Sequence, residues 1–300
     1  MIEHFVQAGI INPHDIASLQ EEADNHAKNL VFLDTTFVLP TSHEDVYENY
    51  CKKRIHDALF FNIKKIADKE STLPHMLPDA TQFSAAISEL GIHNDDIIIM
   101  YGQHGMTMGP ARVWWMFKGF GHDNVIVLNG GLPAWEKAGL ETENGAPPTP
   151  KASHYTAHPF KGEMVVQMSD VINATETNMC PIIDARPEKR FSGKTPEPRE
   201  GMRSGHMPNA KNLPASCLVN KDGMFKPPEE LEQMFKNLEI FDDKKQSNRI
   251  ITTCGSGITA CALALALYNL DYQNVSVYDG SWSEWGLEDS PTPVTKAEAG

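Results

Sequence analysis

Short runs of aliphatic and β-branched residues alternate along the chain with longer stretches in which apolar and polar residues mix. The most apolar runs are VFLD at 31–34, IIIM at 97–100, PIID at 181–184 and RIIT at 249–252. Such runs are typical of strands buried on both faces of a parallel sheet. Because helix-length segments separate them, the pattern predicts repeated βαβ units. We expect an α/β fold in which each mainly parallel sheet carries helices on both faces.

The pattern occurs twice. DNVIVLNGGLPAW at 123–135 matches QNVSVYDGSWSEW at 273–285 in Asn, Val, Val, Gly and Trp, at an offset of 150 residues. DDIIIMYG at 95–102 aligns with SNRIITTC at 247–254 at an offset of 152 residues. The matched blocks keep the same order in both halves, which indicates an internal duplication rather than chance similarity.

The two halves are separated by a segment of linker composition. The sequence ENGAPPTPKASHYTAHPFKG, at 143–162, is rich in Pro, Gly, Ser and Thr. Such composition favours irregular chain between domains. We therefore predict an N-terminal domain at 1–142, a linker at 143–162 and a C-terminal domain at 163–300.

Composition narrows the class of protein. The chain has 300 residues, of which 41% are hydrophobic and 22% charged, as in a soluble globular protein. A formal net charge of −14 argues against nucleic acid and anionic membrane surfaces as partners. The five cysteines form no CxxC pair, which favours free thiols in a reducing compartment over disulfides or a zinc site. With no evident targeting signal, we predict a cytoplasmic protein and leave an organellar location open.

The duplication singles out Cys254. This residue ends the apolar strand of the second half, and its counterpart in the first half is Gly102. Ligands of open α/β sheets bind beyond the carboxyl ends of the strands. Only the second half therefore carries a thiol at the reactive position, which predicts a catalytic C-terminal domain and a non-catalytic N-terminal one.

The residues after Cys254 are suited to hold an anion. Gly255 and Gly257 allow successive N–H groups to form a concave nest, and a helix starts near Thr259. Both features favour the reactive thiolate. The alternative is a buried cysteine followed by a simple turn. Cysteine-dependent phosphatases need an arginine six positions after the cysteine, and this chain has Ala260 there. We therefore expect the thiolate to attack a sulfur atom rather than a phosphate ester.

Several strings resemble the rhodanese superfamily, and together they cover nearly the whole chain. They are RVWWMFKGFGH at 112–122, LNGGLPAW at 128–135, DARPEKRF at 184–191, TPEPREGMRSGHMPNA at 195–210 and CGSGITA at 254–260. The last string is most similar to the branch that takes sulfur from 3-mercaptopyruvate. Members that use thiosulfate typically carry two basic residues directly after the cysteine, where this chain has Gly255 and Ser256.

The resemblance implies tandem rhodanese-like domains and a two-step sulfur transfer. A Cys254 thiolate takes sulfur from 3-mercaptopyruvate, forms a persulfide and releases pyruvate. A thiol acceptor such as thioredoxin or a small thiol then takes the outer sulfur, with release of hydrogen sulfide, or cyanide takes it. The resemblance implies no metal and no organic cofactor. A thiosulfate:cyanide sulfurtransferase and a non-catalytic persulfide carrier remain the alternatives.

The resemblance also implies a set of site residues. The expected catalytic residues are Cys254, Ser256 and His75, of which the last two match a proposed proton relay. The expected substrate-binding residues are Arg190, Arg199, Gly255, Gly257, Ile258 and Thr259. A guanidinium can hold the substrate carboxylate through two hydrogen bonds. The chain departs from the family at FFNIK (60–64), because Lys64 aligns with the acid expected to partner the histidine.

Overall fold

The computed structural model describes residues 2–39, 41–105, 108–240 and 249–296. The chain divides into two compact units. The first unit comprises Met1–Asp68, Leu77–Lys161 and Asn220–Phe225, and the second comprises Lys69–Met76, Gly162–Val219 and Lys226–Gly300. Each unit thus takes a short segment from the sequence half of the other, which the sequence pattern did not predict.

The first unit contains a sheet, its covering helices and a small antiparallel pair. Its strands are β1 (Ile10–Ile11), β2 (Leu30–Asp34), β3 (Arg54–Ile55), β4 (Leu59–Phe60), β5 (Ile97–Tyr101), β6 (Val125–Leu128) and β7 (Thr142–Glu143). Its helices are α1 (Ile2–Ala8), α2 (Ile16–Asn25), α3 (Val46–Lys52), α4 (Ile63–Ile66), α5 (Ala80–Glu89), α6 (Met108–Gly119) and α7 (Gly131–Lys137), with a 3₁₀ turn at Pro13–Asp15.

The second unit follows the same plan. Its strands are β8 (Val165–Val166), β9 (Ile182–Asp184), β10 (Lys211–Asn212), β11 (Ile250–Thr253) and β12 (Val275–Tyr278). Its α-helices are α8 (Met168–Thr177), α9 (Glu188–Phe191), α10 (Pro228–Lys236), α11 (Ala260–Asn269) and α12 (Ser281–Trp285), with 3₁₀ turns at Gly162–Met164 and Ala215–Leu218.

Both main sheets are parallel and have equivalent strand orders. The first runs β1-β6-β5-β2-β4, and the second runs β8-β12-β11-β9-β10. The registers also agree, since Asp34 pairs with Tyr101 and Asp184 pairs with Thr253. These pairs are related by the offsets of the sequence repeat. The structure therefore confirms the predicted α/β fold with two tandem parallel sheets.

The central strands and the helices beside them form the cores. Every residue of β5 and β11 is buried, and α11 is buried from Ala260 to Leu267. A helix that is apolar on all sides belongs inside a protein, because no face of it favours water. The parallel strand β11 and the buried helix α11 thus fix both ends of the loop that joins them.

The segment rich in Pro and Ser before the second unit is bound to the first. Its backbone N–H groups donate from Ser153 to the Ser88 carbonyl (2.9 Å) and from Lys161 to the Gly119 carbonyl (2.9 Å). The Phe160 ring lies over Gly119, where a Cβ atom would approach it to 2.0 Å. The segment up to Lys161 therefore belongs to the first compact unit, and the second continues from Gly162.

Two short segments, Asn220–Phe225 and Lys69–Met76, belong to the unit formed mainly by the other half of the sequence. In the first unit, the amide of Phe225 donates to Asn129 Oδ1 (2.8 Å), and Gly223 packs against Gly105. The segment Lys69–Met76 contains His75, which therefore belongs to the second unit. No helix within the described ranges has the length and apolar composition needed to cross a membrane.

Candidate active site

Cys254 lies directly beyond the carboxyl end of β11, on a loop that we call the Cys254 loop (residues 254–259). Its side chain belongs to the buried set, with 2% of the residue exposed. The Cys254 amide donates to Ser281 Oγ (3.1 Å), and its carbonyl accepts from the Trp282 amide (3.0 Å). The Gly255 carbonyl accepts from the Ser283 amide (2.9 Å). These bonds hold the start of the loop against the first turn of α12.

The rest of the Cys254 loop presents unused backbone donors. Among the described residues, none of the amide groups at 255–259 donates to a protein acceptor. Gly257 has a φ of 75°, a left-handed conformation that glycine adopts without strain. Thr259 is the N-cap of α11 and makes no side-chain capping bond. The loop therefore combines free N–H groups with the positive end of a buried helix, which favours an anion.

Ile258 is buried, with 1% of the residue exposed. Cys261, the neighbouring thiol, is fully buried and donates from Sγ to the Gly257 carbonyl (3.3 Å). This contact joins the first turn of α11 to the turn of the loop at Gly257. All five cysteines of the chain are unpaired.

Arg190 lies against the Cys254 loop. It belongs to α9, and its side chain is 17% exposed. A Cβ atom on Gly255 would lie 3.0 Å from Arg190 Nη2, so the guanidinium is in contact with that glycine. Its Nε and Nη2 groups donate to Glu197, the former at 3.2 Å. Arg190 Nη1 makes no hydrogen bond to a described residue, which leaves it available to a ligand.

Arg199 shares this electrostatic environment. Half-burial lowers the pKa of its guanidinium, and the positive charge of Arg190 lowers it further, whereas Cys254 and Glu197 act in the opposite direction. The Arg199 side chain makes no hydrogen bond or ion pair with any residue that the structure describes. A desolvated guanidinium without a carboxylate partner is a strong binding group for an anionic ligand.

Arg186 organises the end of β9 and is itself almost completely buried. Its Nε and Nη2 groups donate to both carboxylate oxygens of Asp184 (2.7–3.1 Å), and Nη1 donates to Glu197 (2.9 Å). Its guanidinium stacks on the Trp282 ring at 4.2 Å. Burial disfavours the charge of Arg186, but Asp184 and Glu197 outweigh burial and raise its pKa. Trp282 is therefore a structural support of this network.

Glu197 is the residue that the sequence did not single out. Its side chain is 4% exposed and receives hydrogen bonds from both Arg186 and Arg190. The string TPEPRE contains two glutamates, and nothing in their spacing shows which one is buried. Only the packing of the loop after α9 distinguishes Glu197 from the exposed Glu200.

Ser256 and His75 are not joined in this structure. Ser256 is 8% exposed, and its hydroxyl makes no hydrogen bond within the described part of the chain. His75 is partly buried in the second unit, with a left-handed φ of 63°. Lys64 lies in α4 of the first unit and is exposed. The Ser256 hydroxyl, like Arg190 Nη1, is thus available to a ligand.

The first unit has an equivalent backbone contact at the start of the corresponding loop, in residues 102–105. The Leu132 amide donates to the Gly102 carbonyl (3.0 Å), as that of Trp282 does to Cys254 in the second unit. The buried Asp34 receives hydrogen bonds from Thr36 and Gln103 rather than from an arginine. Because burial outweighs these bonds, the pKa of Asp34 is raised. At the position of Cys254 this unit has Gly102, and its buried Asp34 has no arginine partner among the described residues.

Comparisons with known proteins agree with this geometry. The rhodanese-like domain family matches residues 16–138 and 167–288. The 3-mercaptopyruvate sulfurtransferase of Escherichia coli strain K12 is 42% identical over 253 residues, which cover 84% of this chain and 87% of that protein. The thiosulfate/3-mercaptopyruvate sulfurtransferase 1, mitochondrial, of Arabidopsis thaliana is 37% identical over 290 residues, covering 90% and 75%.

A solved structure of a 3-mercaptopyruvate sulfotransferase is similar to this chain over nearly its whole length. The crystal structure of SseA from Escherichia coli, described with the rhodanese fold of 3-mercaptopyruvate sulfotransferases, has a TM-score of 0.78 and 35% identity. The match covers 92% of this chain and 99% of that one. These relatives confirm the predicted fold and the predicted enzyme class, sulfurtransferase. The chain belongs to the rhodanese family and carries two rhodanese-like domains in tandem.

Proposed function

We propose that the chain is a 3-mercaptopyruvate sulfurtransferase whose nucleophile is Cys254. The observation that carries the proposal is a thiol on an amide-lined loop together with Arg190 and Arg199, whose guanidinium groups have N–H donors that no described residue accepts. Gly255 and Ser256 add no charge beside the thiol. The relatives named for 3-mercaptopyruvate support the same substrate.

The substrate presents a carboxylate, a carbonyl and a thiol. In our proposal, Arg190 Nη1 and Arg199 bind the carboxylate, because Arg190 touches Gly255 and Arg199 interacts electrostatically with both Arg190 and Cys254. The amides of Gly255, Gly257, Ile258 and Thr259 surround the sulfur that is transferred. Preorganised N–H donors stabilise negative charge that builds up on sulfur during the reaction.

The first step forms one bond and breaks one. The Cys254 thiolate attacks the sulfur of 3-mercaptopyruvate and forms the S–S bond of a cysteine persulfide. The C–S bond of the substrate breaks, and its electron pair remains on carbon as the enolate of pyruvate. The enolate takes up a proton and leaves as pyruvate. No external oxidant or reductant is needed, because the transferred sulfur is oxidised while the substrate carbon is reduced by keeping the electron pair of the C–S bond.

The proton of this step passes through Ser256 in our proposal. Its free hydroxyl lies two residues after the nucleophile and can donate a hydrogen bond to the substrate carbonyl. His75 is the proposed source of the proton. Since Lys64 occupies the place of the expected acid, the relay contains no carboxylate from that segment.

In the second step, an acceptor thiolate attacks the outer sulfur and restores the Cys254 thiolate. A dithiol such as thioredoxin then forms its own disulfide and releases hydrogen sulfide. Cyanide accepts the same sulfur as thiocyanate. We place the reaction in the cytoplasm, and the five unpaired cysteines support a reducing compartment.

Side-by-side kinetics with 3-mercaptopyruvate and thiosulfate test the proposal. We expect kcat/KM for 3-mercaptopyruvate to be at least about tenfold higher, because a dianion gains less from a loop without added cations. Equal or better use of thiosulfate would overturn the assignment of the substrate. Steady-state release of pyruvate separates an enzyme from a non-catalytic persulfide carrier.

The nucleophile is tested by mass spectrometry. Incubation with 3-mercaptopyruvate and no acceptor should add the mass of one sulfur atom to the wild-type protein. Cys254→Ser should show no such addition, whereas Cys217→Ser, at a partly buried cysteine outside the site, should retain it. A persulfide that persists in Cys254→Ser would rule out this residue as the nucleophile.

A further inference from the structure

Glu197 connects two guanidinium groups of different exposure. One side of its carboxylate accepts from Arg186, which is 1% exposed, at 2.9 Å. The same carboxylate accepts from Nε and Nη2 of Arg190, which is 17% exposed and touches the Cys254 loop. Arg190 therefore has one edge occupied by protein, and its Nη1 group remains for a ligand.

The pairing also sets the charge beside the nucleophile. Asp184 and Glu197 contribute two negative charges, and Arg186 and Arg190 contribute two positive charges, so the bonded network is neutral. Arg199 is outside this network and has no ion-pair partner among the described residues. Of these five side chains, only Arg199 contributes an uncompensated positive charge at the site.

We propose that Glu197 is a positioning residue that determines which class of sulfur donor the site accepts. It holds Arg190 in a fixed orientation and cancels one positive charge, so that the site favours a monoanionic donor over a dianionic one. The inference rests on the proposed function, because the monoanionic donor is 3-mercaptopyruvate and the dianionic one is thiosulfate. A net charge near the thiol acts on both binding and approach of an anion.

A purely structural role would give a different result. If Glu197 only kept the buried Arg186 in place, its removal would damage the loop and would impair both donors alike. If Glu197 limits the positive charge, its neutralisation should improve the relative use of the dianion. The discriminating quantity is therefore the ratio of the two kcat/KM values and not either value alone.

The experiment compares Glu197→Gln with Glu143→Gln. Glu143 is a matched control, because it also pairs with an almost completely buried arginine (Arg54, 2.7 Å) but belongs to the first unit. We expect Glu197→Gln to raise the ratio of kcat/KM for thiosulfate to that for 3-mercaptopyruvate about fivefold or more. The ratio should be unchanged in Glu143→Gln. An unchanged ratio in Glu197→Gln overturns the proposal.

Alkylation of Cys254 gives a second readout that needs no turnover. Iodoacetate is an anion and iodoacetamide is neutral, so the ratio of their rate constants reports the potential at the thiol. We expect this ratio to rise about fivefold in Glu197→Gln and to stay constant in Glu143→Gln. Equal acceleration or equal loss with both reagents contradicts an electrostatic role.

Glu197→Asp separates positioning from charge, and it still tests the charge role if Glu197→Gln does not fold, because a donor ratio that rises although the charge is retained would contradict that role. The shorter side chain retains the charge but cannot reach both arginines in the same geometry. We expect KM for 3-mercaptopyruvate to rise at least about threefold, with the donor ratio close to that of the wild type. Wild-type kinetics in Glu197→Asp would remove the positioning role. A wild-type preference for thiosulfate would refute the proposed function instead, since the effect of Glu197 is the change in the ratio from any starting value.

Discussion

A methyl group on Gly255 should weaken substrate binding through Arg190. In the structure, a Cβ atom at this position lies 3.0 Å from Arg190 Nη2, closer than the ordinary contact distance of 3.4–4 Å. The guanidinium must therefore retreat by about 0.4 Å or more. The same Nη2 group is bonded to Glu197, so the retreat distorts a charge-assisted pair.

These contacts set the expected loss of substrate-binding free energy in Gly255→Ala. A hydrogen bond to a charged group contributes about 1.5–3 kcal/mol, and a displacement of this size costs part of one such bond. We take about 1 kcal/mol, which corresponds to about a fivefold change in binding. In the proposed reaction Arg190 holds the carboxylate of the substrate and of the transition state alike, so KM for 3-mercaptopyruvate should rise and kcat should change little.

The assay is steady-state pyruvate release by Gly255→Ala, Arg190→Lys and the double variant. Lysine lacks the Nη2 group, so the methyl group added at position 255 displaces little when residue 190 is lysine. The effects on KM should therefore not multiply. Gly162→Ala is the control, since nothing lies within 4 Å of its Cβ position. An unchanged KM in Gly255→Ala, or effects that multiply fully in the double variant, would refute the reasoning.

Two further predictions concern the first unit. The pKa of Asp34 is raised from its ordinary value of 3.8, mainly by burial, so this carboxyl stabilises the fold most below that pH and loses its contribution as the pH rises. In urea unfolding between about pH 4 and about pH 8, the stability of Asp34→Asn relative to the wild type should increase with pH, and a difference independent of pH would contradict this cause. A Cβ atom on Gly109 would lie 1.8 Å from the Thr35 carbonyl oxygen, which belongs to the backbone and cannot turn away. We expect Gly109→Ala to lose about 3 kcal/mol or more of unfolding free energy, measured by denaturant titration, and a midpoint equal to that of Gly162→Ala would show that the backbone adapts.

The fold was predictable because its signals are local. The apolar runs correspond to the strands β2, β5, β9 and β11, of which the last three are buried throughout, and the repeat offsets reproduce the strand registers. A parallel sheet covered on both faces requires such runs, so the physical constraint is visible in the sequence itself. The position of Cys254 after β11 was predictable for the same reason.

Long-range packing was not predictable. The burial of Glu197 depends on Arg186 and Arg190 meeting the same carboxylate, and no spacing rule in the sequence requires that. The segment Asn220–Phe225 belongs to the first unit because Phe225 donates to Asn129, a contact across 96 residues. Its polar composition gives no sign of this partner. The role of His75 likewise stays a prediction, because no hydrogen bond joins it to Ser256.

The two halves of the chain act as controls for each other. Gly102 and Cys254 follow equivalent strands, accept the same backbone hydrogen bond and precede glycines with left-handed φ angles of 68° and 75°. The conformation at the start of the loop, over 102–105 and 254–257, is therefore a property of the fold and is present where the strand is not followed by a thiol. The differences lie in the side chains: the repeat places Thr36 opposite Arg186, so the first unit has no guanidinium to support a second one at its loop. A nucleophile without an anion-binding partner gains little from an amide nest alone, so in the proposed reaction the thiol and the arginine network act together. The second unit has both of them at this loop, whereas the equivalent positions of the first unit are Gly102 and Thr36.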